Sequence, residues 1–537
     1  MATPSLPPRP HLDQLRRQAK ELASAAMRGD AGALTRLDRV RRPGTPITLS
    51  LAQLAIAREY GFPSWPQLKA EVELRTATLV QRVEAFLLAS VRGHFDSAAD
   101  TRNARAARLL RDDPAIGAYD IRTAAALGDS DRVRATLAGD RELAARPDPR
   151  SGWPPLLFAC NSRWHQIDPA RSPGIVEVAT LLLDAGASPD TAVGAASPGG
   201  PCSALYAAAG LANHRALARL LLDRGADPDT PAALYHTAFH RDHESLRLLL
   251  DRGARAEGPA TLGAAITVDD AQAVRLLLAA GIDPRDPVPA GAMGESYEGK
   301  PPVPPLSAAI EFDCGTDLIE ALLEGGADPA ATPAGGRSPF RDARRRGRAD
   351  IAAMLAAYGA TDDASDIDAL LEACARADRA SAKEMLRSRP DLLTQLTEDD
   401  HAVLVDAADH GRLDAVRLML DIGFPPDARG GVDGATALHA AAGAGDVEVV
   451  RLLIAHGADI DARDTTWQST PLVWASVGSG FRMGHAPNPD WAEVIHVLVA
   501  AGASLDGAVV TGKPPSDEVV EVLAAFGVRP PKSTPLT

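Results

Sequence analysis

The sequence predicts an all-α fold in which about a dozen helix–turn–helix units stack in a row as a solenoid. Apolar helical segments repeatedly end in the same phrase, a run of leucines followed by Gly-Ala-x-x-Asp, and several copies lie about 33 residues apart. Hydrophobic residues make up 45% of the chain but aromatic residues only 4%, so the apolar content is mostly Ala, Leu and Val, which suit closely packed helices. A chain of 537 residues exceeds one compact core, whereas a row of units that contact only their neighbours has no such limit.

Each copy of the phrase has one glycine shortly after its apolar run, and we call these residues the marker glycines. They are Gly186, Gly225, Gly253, Gly281, Gly326, Gly359, Gly423, Gly457 and Gly502. The interval from 359 to 423 is close to two periods, which predicts a less regular unit at Asp366–Leu396. Each marker glycine follows the last turn of a helix, where a left-handed conformation costs other residues roughly 1–2 kcal/mol. We therefore expect these glycines to be left-handed.

The best-formed unit spans Thr436–Ile454. Its first helix is almost entirely Ala, and its second helix carries Val449, Val450, Leu452 and Leu453. Alanine allows neighbouring units to approach closely, and the aliphatic residues supply a buried stripe. Because helices of about eight to ten residues are unstable alone, the units must stack.

Two segments resemble the opening of the ankyrin repeat, Thr-Pro-Leu-His-x-Ala. They read Thr436-Ala-Leu-His-Ala-Ala and Thr470-Pro-Leu-Val-Trp-Ala. The resemblance implies a curved solenoid with hairpin-like fingers, and partners that bind the fingers and the concave face of the first helices. His439 keeps the histidine that ties down the turn in this family. Other units carry Tyr206, Tyr235 or Arg341 instead.

The pattern divides the chain into four segments. Residues 1–78 form a small helical N-terminal cap, 79–361 an N-terminal repeat block whose first part, 79–116, is degenerate, 362–530 a C-terminal repeat block, and 531–537 a disordered tail. The cap resembles an extension found on some bacterial ankyrin-repeat proteins, and we expect it to cover the apolar face of the first repeat. Within the cap, Ser64 should cap the helix that Pro66 opens.

Charge and cysteine content narrow the possible partners. There are 56 basic and 71 acidic residues, a net charge of −15, which argues against nucleic acid and anionic membranes and favours a basic or mixed-charge protein partner. Cys160, Cys202, Cys314 and Cys374 form no disulfide framework or zinc motif, which indicates reduced thiols. Neither a signal peptide nor a run of about 18 apolar residues is visible, so we expect a cytoplasmic protein without cofactors.

Two insertions collect residues that commonly anchor interfaces. The region around Ser479–Asp490 contains Trp467, Trp474, Phe481, Met483, His485 and Trp491, and the region around Asn161–Gly174 contains Trp153, Trp164 and His165. Either these side chains bind a partner, or they pack the insertions onto the solenoid. Two other insertions, Thr191–Pro201 and Asp286–Pro304, should lie at fingers.

The run Arg341–Arg348 is the other candidate contact surface. Arg341 and Arg344 would face the concave side and could hold an acidic peptide or phosphate. The alternative is an ordinary solvated surface.

The sequence offers two weaker candidates for a metal-binding or catalytic site. His236 and His240 are four residues apart, so they could share a zinc ion on one helical face. Aligned with the best-formed unit, however, His240 and His243 fall in the turn between the helices, where polar residues are normal. Cys160 lies near His165 in sequence, but its position favours a buried structural thiol.

The sequence thus predicts a non-catalytic scaffold or adaptor that binds an as yet unidentified protein. The alternatives are a regulatory subunit or metal-dependent enzyme with a site near His236 and His240, and a self-associating scaffold.

Overall fold

The contacts in the computed structural model divide the chain into two compact units. Unit 1 comprises Met1–Ala77, Arg344–Arg348 and Ala364–Thr537, and unit 2 comprises Thr78–Ala343 and Ala349–Asp363. The structure describes residues 6–7, 10–41, 46–62, 64–91, 99–194, 202–255, 258–293, 299–334, 336–431, 433–481, 486–510 and 515–528. The predicted tail, 531–537, lies outside these residues.

The N-terminal part of unit 1 consists of four helices with a core of their own. They are α1 (Leu12–Met27), α2 (Ala31–Asp38), α3 (Leu49–Glu59) and α4 (Trp65–Thr76). Ser64 caps the N-terminus of α4 as expected, because its hydroxyl accepts a hydrogen bond from the Gln67 amide at 3.4 Å. Leu37, Ile56 and Leu68 are fully buried in the core.

Unit 2 contains paired helices joined by short turns. They are α5 (Leu79–Ser90), α6 (Ala99–Asp112), α7 (Ile121–Leu127), α8 (Ser130–Gly139), α9 (Pro155–Cys160), α10 (Trp164–Ile167), α11 (Ser172–Asp184), α12 (Arg215–Asp223), α13 (Ala233–Thr237), α14 (Glu244–Asp251), α15 (Gly258–Thr267), α16 (Ala271–Ala279), α17 (Pro305–Glu311), α18 (Thr316–Glu324), α19 (Pro339–Arg345), whose last two residues group with unit 1, and α20 (Ala349–Ala357). A π-helix at Tyr206–Leu211 takes the place of the first helix before α12.

Short helices and a hairpin complete unit 2. The 3-10 helices span Pro114–Ile116, Arg141–Ala144, Pro169–Arg171 and Ala290–Met293. Strands β1 (Ala192–Val193) and β2 (Cys202–Ser203) pair antiparallel, and Val288 pairs with Val303. The described ends of the insertions Thr191–Pro201 and Asp286–Pro304 therefore lie at hairpin-like fingers, as predicted.

The C-terminal part of unit 1 continues the same pattern. Its helices are α21 (Asp366–Ala375), α22 (Arg379–Ser388), α23 (Leu392–Gln395), α24 (Glu398–Asp409), α25 (Leu413–Ile422), α26 (Ala437–Ala444), α27 (Val447–Ala455), α28 (Pro471–Phe481), α29 (Trp491–Ala500) and α30 (Asp517–Ala525). Strands β3 (Arg429–Gly430) and β4 (Ala435–Thr436) form a second antiparallel hairpin. Helices α21 to α23 confirm the less regular unit at Asp366–Leu396.

Neighbouring helix pairs bury one another in two rows. In the row of second helices, Val449, Val450 and Leu453 of α27 are completely buried in a core shared with α25 and α29. In the row of first helices, a Cβ atom added to Gly478 of α28 would lie 2.2 Å from the Gly443 carbonyl oxygen of α26. Only glycine, which has no Cβ atom, allows the two backbones to approach this closely.

The marker glycines adopt the predicted left-handed conformation. Their φ angles lie between 86° at Gly457 and 110° at Gly186. Each therefore ends its helix as the sequence indicated.

The aspartate of the Gly-Ala-x-x-Asp phrase joins successive units. The Asp427 carboxylate accepts the Asp459 amide at 2.8 Å, and the Asp461 carboxylate accepts the Ser504 amide at 2.9 Å. Asp190 accepts the Asp227 amide in the same way at 2.8 Å in unit 2. This contact explains why a short carboxylate recurs at a fixed distance from the glycine.

Replacing Leu453 with alanine should lower the free energy of unfolding by about 2–5 kcal/mol, because it opens a cavity between neighbouring second helices. Urea denaturation followed by circular dichroism measures the change. Met27→Ala is the control, since Met27 is 63% exposed in the same unit. Equal effects of the two substitutions would contradict burial between units.

Candidate partner-binding surface

The loop from Asp464 to Ser469, which we call the Trp467 loop, is ordered by one carboxylate. Asp464 is completely buried, and it accepts hydrogen bonds from the Trp467 amide, from the Ser469 amide at 3.1 Å and from the Trp474 indole N–H at 2.9 Å. Gln468 takes a left-handed conformation with φ 52° to close the turn. The Trp467 indole lies on the outside of this loop and is 47% exposed.

The loop is also joined to the preceding finger, which contains β3 and β4. The Thr465 amide and hydroxyl both donate to the Asp433 carbonyl, at 2.9 and 2.8 Å. The Arg429 guanidinium donates to the carbonyl oxygens of Gly434 and Arg463. The two fingers therefore form one continuous, ordered surface beside Trp467.

The other two tryptophans of the aromatic region pack onto the solenoid. Trp474 is half-buried against Gly443 and meets His439 edge-on with ring centroids 5.6 Å apart. Trp491 covers Gly445, and its indole N–H donates to the Gly443 carbonyl at 2.7 Å. The tryptophans of this region therefore differ in whether they are exposed or packed on the solenoid. Trp467 is on the surface, whereas Trp474 and Trp491 support the stack.

Three further residues of the predicted set fall in the middle of the insertion. The Phe481 side chain, Met483 and His485 lie outside the described residues. The insertion continues at 486–490, where Pro487 approaches Gly411 and Pro489 approaches Gly445. This end of the insertion folds over the turns of the two preceding units.

His439 ties down its turn as the family resemblance implied. Its Nδ1 atom accepts the Thr436 amide at 3.1 Å, so its Nε2 atom carries the proton and donates to the Ser469 carbonyl at 3.0 Å. Burial holds the pKa of His439 below its ordinary value, which keeps the ring neutral. The histidine thereby links the first helix of its own unit to the end of the Trp467 loop.

The aromatic residues of the first insertion are packed inside unit 2. Trp164 is 4% exposed, its indole N–H donates to the Ser90 hydroxyl at 3.0 Å, and the Arg171 guanidinium lies 5.2 Å from its ring centroid. His165 is hydrogen-bonded to the carbonyl oxygens of Ser162 and Ala212, both at 2.9 Å. Both residues therefore hold the insertion in place.

Ser172 and His214 form a pair that could be mistaken for a nucleophile and its base. The Ser172 hydroxyl lies 3.0 Å from His214 Nε2, but Nδ1 of the same ring accepts the Leu217 amide. The proton must then reside on Nε2, which donates to the serine and cannot take its proton. Burial, with a contribution from nearby His165, lowers the pKa of His214 to about 4. His214 is a neutral helix cap.

The basic run is largely an internal ion-pair network, and the alternative of an ordinary solvated surface is wrong at Arg345. This residue is 3% exposed and lies 3.0 Å from Asp368 and 2.5 Å from Asp400. Burial would raise the pKa of Asp400, but hydrogen bonds from Thr397 and the Arg345 guanidinium hold it below its ordinary value. A buried arginine needs such partners, because an unpaired buried charge is very costly.

The two arginines predicted to contact a partner are half-buried. The Arg344 guanidinium donates to Glu372, so its charge is already used within unit 1. The Arg341 amide donates to the Ser338 hydroxyl at 3.2 Å and helps to begin α19.

The histidines considered as zinc ligands make hydrogen bonds within the repeat. His236 Nδ1 donates to the Ala232 carbonyl at 2.9 Å, and its Nε2 faces the Tyr206 hydroxyl at 3.3 Å. His240 Nε2 donates to the Gly210 carbonyl at 2.6 Å. Among the described residues, no three His, Cys, Asp or Glu side chains are grouped as metal ligands would be. As predicted, His240 and His243 lie in the turn between α13 and α14.

The four thiols are buried and form no disulfide. Burial raises the pKa of Cys202 to about 11 and that of Cys374 to about 12, and it raises the pKa of Cys160 further still. Thiols in this state are poor nucleophiles. Cys160 is therefore a structural residue, as its position in the sequence indicated.

Known family models match both units. The model "Ankyrin repeats (3 copies)" matches residues 370–464 and 404–481, and the model "Ankyrin repeat" matches residues 202–233. Together with the stacked helix pairs, these matches show that the chain contains ankyrin repeats of the all-α solenoid type.

Two curated proteins are similar to part of the chain. Protein PhlB of Serratia liquefaciens is 38% identical over 112 residues, which cover 20% of this chain and 46% of that protein. Zinc finger CCCH domain-containing protein 24 of Oryza sativa subsp. japonica is 39% identical over 123 residues, 22% of this chain and 15% of that protein. The chain therefore matches less than half the length of either relative.

A solved structure is similar at lower identity. The crystal structure of the human ASB11 ankyrin repeat domain is 23% identical, with a TM-score of 0.20, and the match covers 45% of this chain and 98% of that one.

Within the described part of the chain, no helix has both the length and the hydropathy that a membrane span requires.

Replacing Trp491 with alanine should lower the free energy of unfolding by about 1–3 kcal/mol, because it removes packing on Gly445 and the hydrogen bond to Gly443. Trp467→Ala should change it by no more than about 0.5 kcal/mol, because the indole is exposed and the backbone contact to Asp464 remains. Denaturant titration of both variants makes the comparison. Equal losses would contradict the division of the aromatic region into surface and core.

The pKa of His214 predicts a loss of stability in acid. Because it is about 4 in the folded chain and 6.5 ordinarily, the unfolded chain takes up the proton first, and stability falls between about pH 6.5 and 4. The loss attributable to this ring is roughly 3 kcal/mol. Asn at this position can accept the same amide without titrating, so the unfolding free energy of His214→Asn should depend less on pH by this amount. Parallel pH profiles of the two proteins would exclude His214 as the cause.

Proposed function

We propose that this chain is a non-catalytic scaffold or adaptor that binds a protein partner through the Trp467 loop and the adjoining β3–β4 finger. The observation that carries the proposal is the exposure of the Trp467 indole, 47%, on a loop whose backbone is held by the buried Asp464 carboxylate. Tryptophans at interfaces supply a large share of the binding energy. A loop that is already ordered loses little conformational freedom when a partner binds.

The charge of this part of the chain supports a partner with a basic or mixed-charge contact region. Residues 364–537 contain 14 basic and 26 acidic side chains, a net charge of −12. Such an imbalance accelerates association with an oppositely charged surface and would be weakened by salt. We therefore propose that the partner presents an apolar pocket or groove for the indole, with basic residues around it.

Among the described residues, the histidines and cysteines considered for catalysis form structural hydrogen bonds or are buried thiols. His214 caps a helix, His236 and His240 bond to their neighbours, and Cys160 and Cys202 have raised pKa values. These arrangements give no support to the metal-dependent alternative. Buried thiols that form no disulfide support a reducing compartment, and we propose the cytoplasm.

Replacing Trp467 with alanine tests the proposal directly. The immobilised full-length chain should retain one or more proteins from a native cytosolic extract, and Trp467→Ala should retain them at least about tenfold less, as for an interface hot spot. Quantitative mass spectrometry of the bound fraction measures the loss.

The matched control is Tyr358→Ala, which removes an exposed aromatic residue of unit 2 that is 43% exposed. This variant should bind the same proteins as the unchanged chain. Equal capture by the Trp467→Ala variant, or equal loss in both variants, would rule out the Trp467 loop as the binding surface.

A further inference from the structure

The last helix of unit 1 belongs to an incomplete repeat. Gly527, which is left-handed like the marker glycines, follows Gly502 after 25 residues rather than about 33, and α30 is the single helix described between them. Among the described residues of this interval, the repeat therefore has a second helix without a first. Helix α30 packs on α29 through Val519 and Leu523, each 1% exposed.

A second face of α30 is covered by the N-terminal segment. Val522 and Ala525 on this face are 8% and 7% exposed, and α3 lies beside them. A cleft of about 690 Å³ remains between the two helices. Its α3 side is lined by Leu51, Leu54, Ala55 and Arg58, and its α30 side by Glu518, Glu521, Val522 and Ala525.

The two linings are complementary in spacing and in charge. Each set follows the i, i+3, i+4, i+7 pattern of one helical face, so two helical stripes lie side by side. Arg58 Nη2 lies 3.3 Å from the Glu521 carboxylate across the interface. Leu54 lies outside the core of the N-terminal segment and lines this cleft instead.

The N-terminal and C-terminal parts of unit 1 have net charges of opposite sign. Residues 1–77 contain 12 basic and 7 acidic side chains, a net charge of +5, whereas residues 364–537 carry −12. This opposition favours contact between the two parts of unit 1 over contact between two copies of either part.

We propose that the N-terminal segment, residues 12–76, is the intramolecular partner of the C-terminal repeats. Helix α3 takes the position beside α30 that a following helix pair would occupy, and it keeps this apolar stripe from associating with other chains. The sequence analysis expected a cap over the first repeat, whereas the helix that this proposal has the segment cover is α30. The proposal is independent of the partner that Trp467 binds.

A charge exchange across the contact tests the pairing in the full-length chain. Arg58→Glu and Glu521→Arg should each accelerate amide hydrogen exchange in both α3 and α30 by about 2- to 5-fold, because a partly exposed ion pair is replaced by repulsion. The double variant should restore the original rates to within about twofold, since the pair re-forms with its charges exchanged. Arg17→Glu is the control, because Arg17 is exposed on the same segment.

A stronger perturbation keeps the test decisive if the charge effects are small. Leu54→Glu places a carboxylate opposite Glu518 and Glu521, and exchange in α30 should rise at least about tenfold. Leu88→Glu is its control, since Leu88 is 57% exposed on α5. We expect light scattering to give the mass of one chain for the unchanged protein and of larger species for Leu54→Glu.

Three results would overturn the proposal. Exchange in α30 could stay unchanged in Leu54→Glu, or the two charge reversals could add without restoration. A stable dimer that keeps the coupling between residues 58 and 521 would assign the contact to two copies of the chain.

Discussion

The structure depends on the mutual burial of helix pairs that are too short to be stable alone. Helix α27 has nine residues, yet Val449, Val450 and Leu453 are completely buried because α25 and α29 lie on either side. The row of first helices imposes a stricter limit, since a side chain at Gly478 would have no room against the Gly443 backbone. Small residues in one row and aliphatic residues in the other are therefore requirements of the same packing.

This packing also determines which polar and aromatic groups remain available for binding. The stack needs buried hydrogen-bond partners at its turns and fingers, and Asp464, His439 and His214 supply them. Trp491 covers a close approach at Gly445 and is only partly exposed. The Trp467 ring is 47% exposed, and the ordered loop beneath it makes the indole our candidate for a contact with another protein.

The sequence predicted the features that are local to one unit. A left-handed glycine after a helix, a serine before Pro66 and a hairpin at an insertion each follow from a few neighbouring residues. Features that depend on residues far apart in the chain were not predictable in this way. The run at Arg341–Arg348 shows only its own charge, whereas the partners of Arg345, Asp368 and Asp400, are 23 and 55 residues away.

Contacts between distant residues also decide which side chains of the candidate site are exposed. The pattern of aromatic residues could not separate the exposed Trp467 from Trp491, which packs on the stack, because the difference lies in glycines of the preceding unit. Asp464, which orders the loop, was missed, although its position three residues before Trp467 is typical of a side chain that closes a turn. The position of α3 beside α30 depends on residues 463 positions apart and left no local signal.

The free energy of unfolding of Gly478→Ala tests the central claim most directly. In an isolated helix, this change is stabilising by up to about 1 kcal/mol, because alanine is the better helix former. If neighbouring first helices are as closely packed as described, the added Cβ atom meets the Gly443 carbonyl at 2.2 Å, and the variant must be less stable than the unchanged chain. A variant of equal or greater stability would show that the two helices do not depend on this contact.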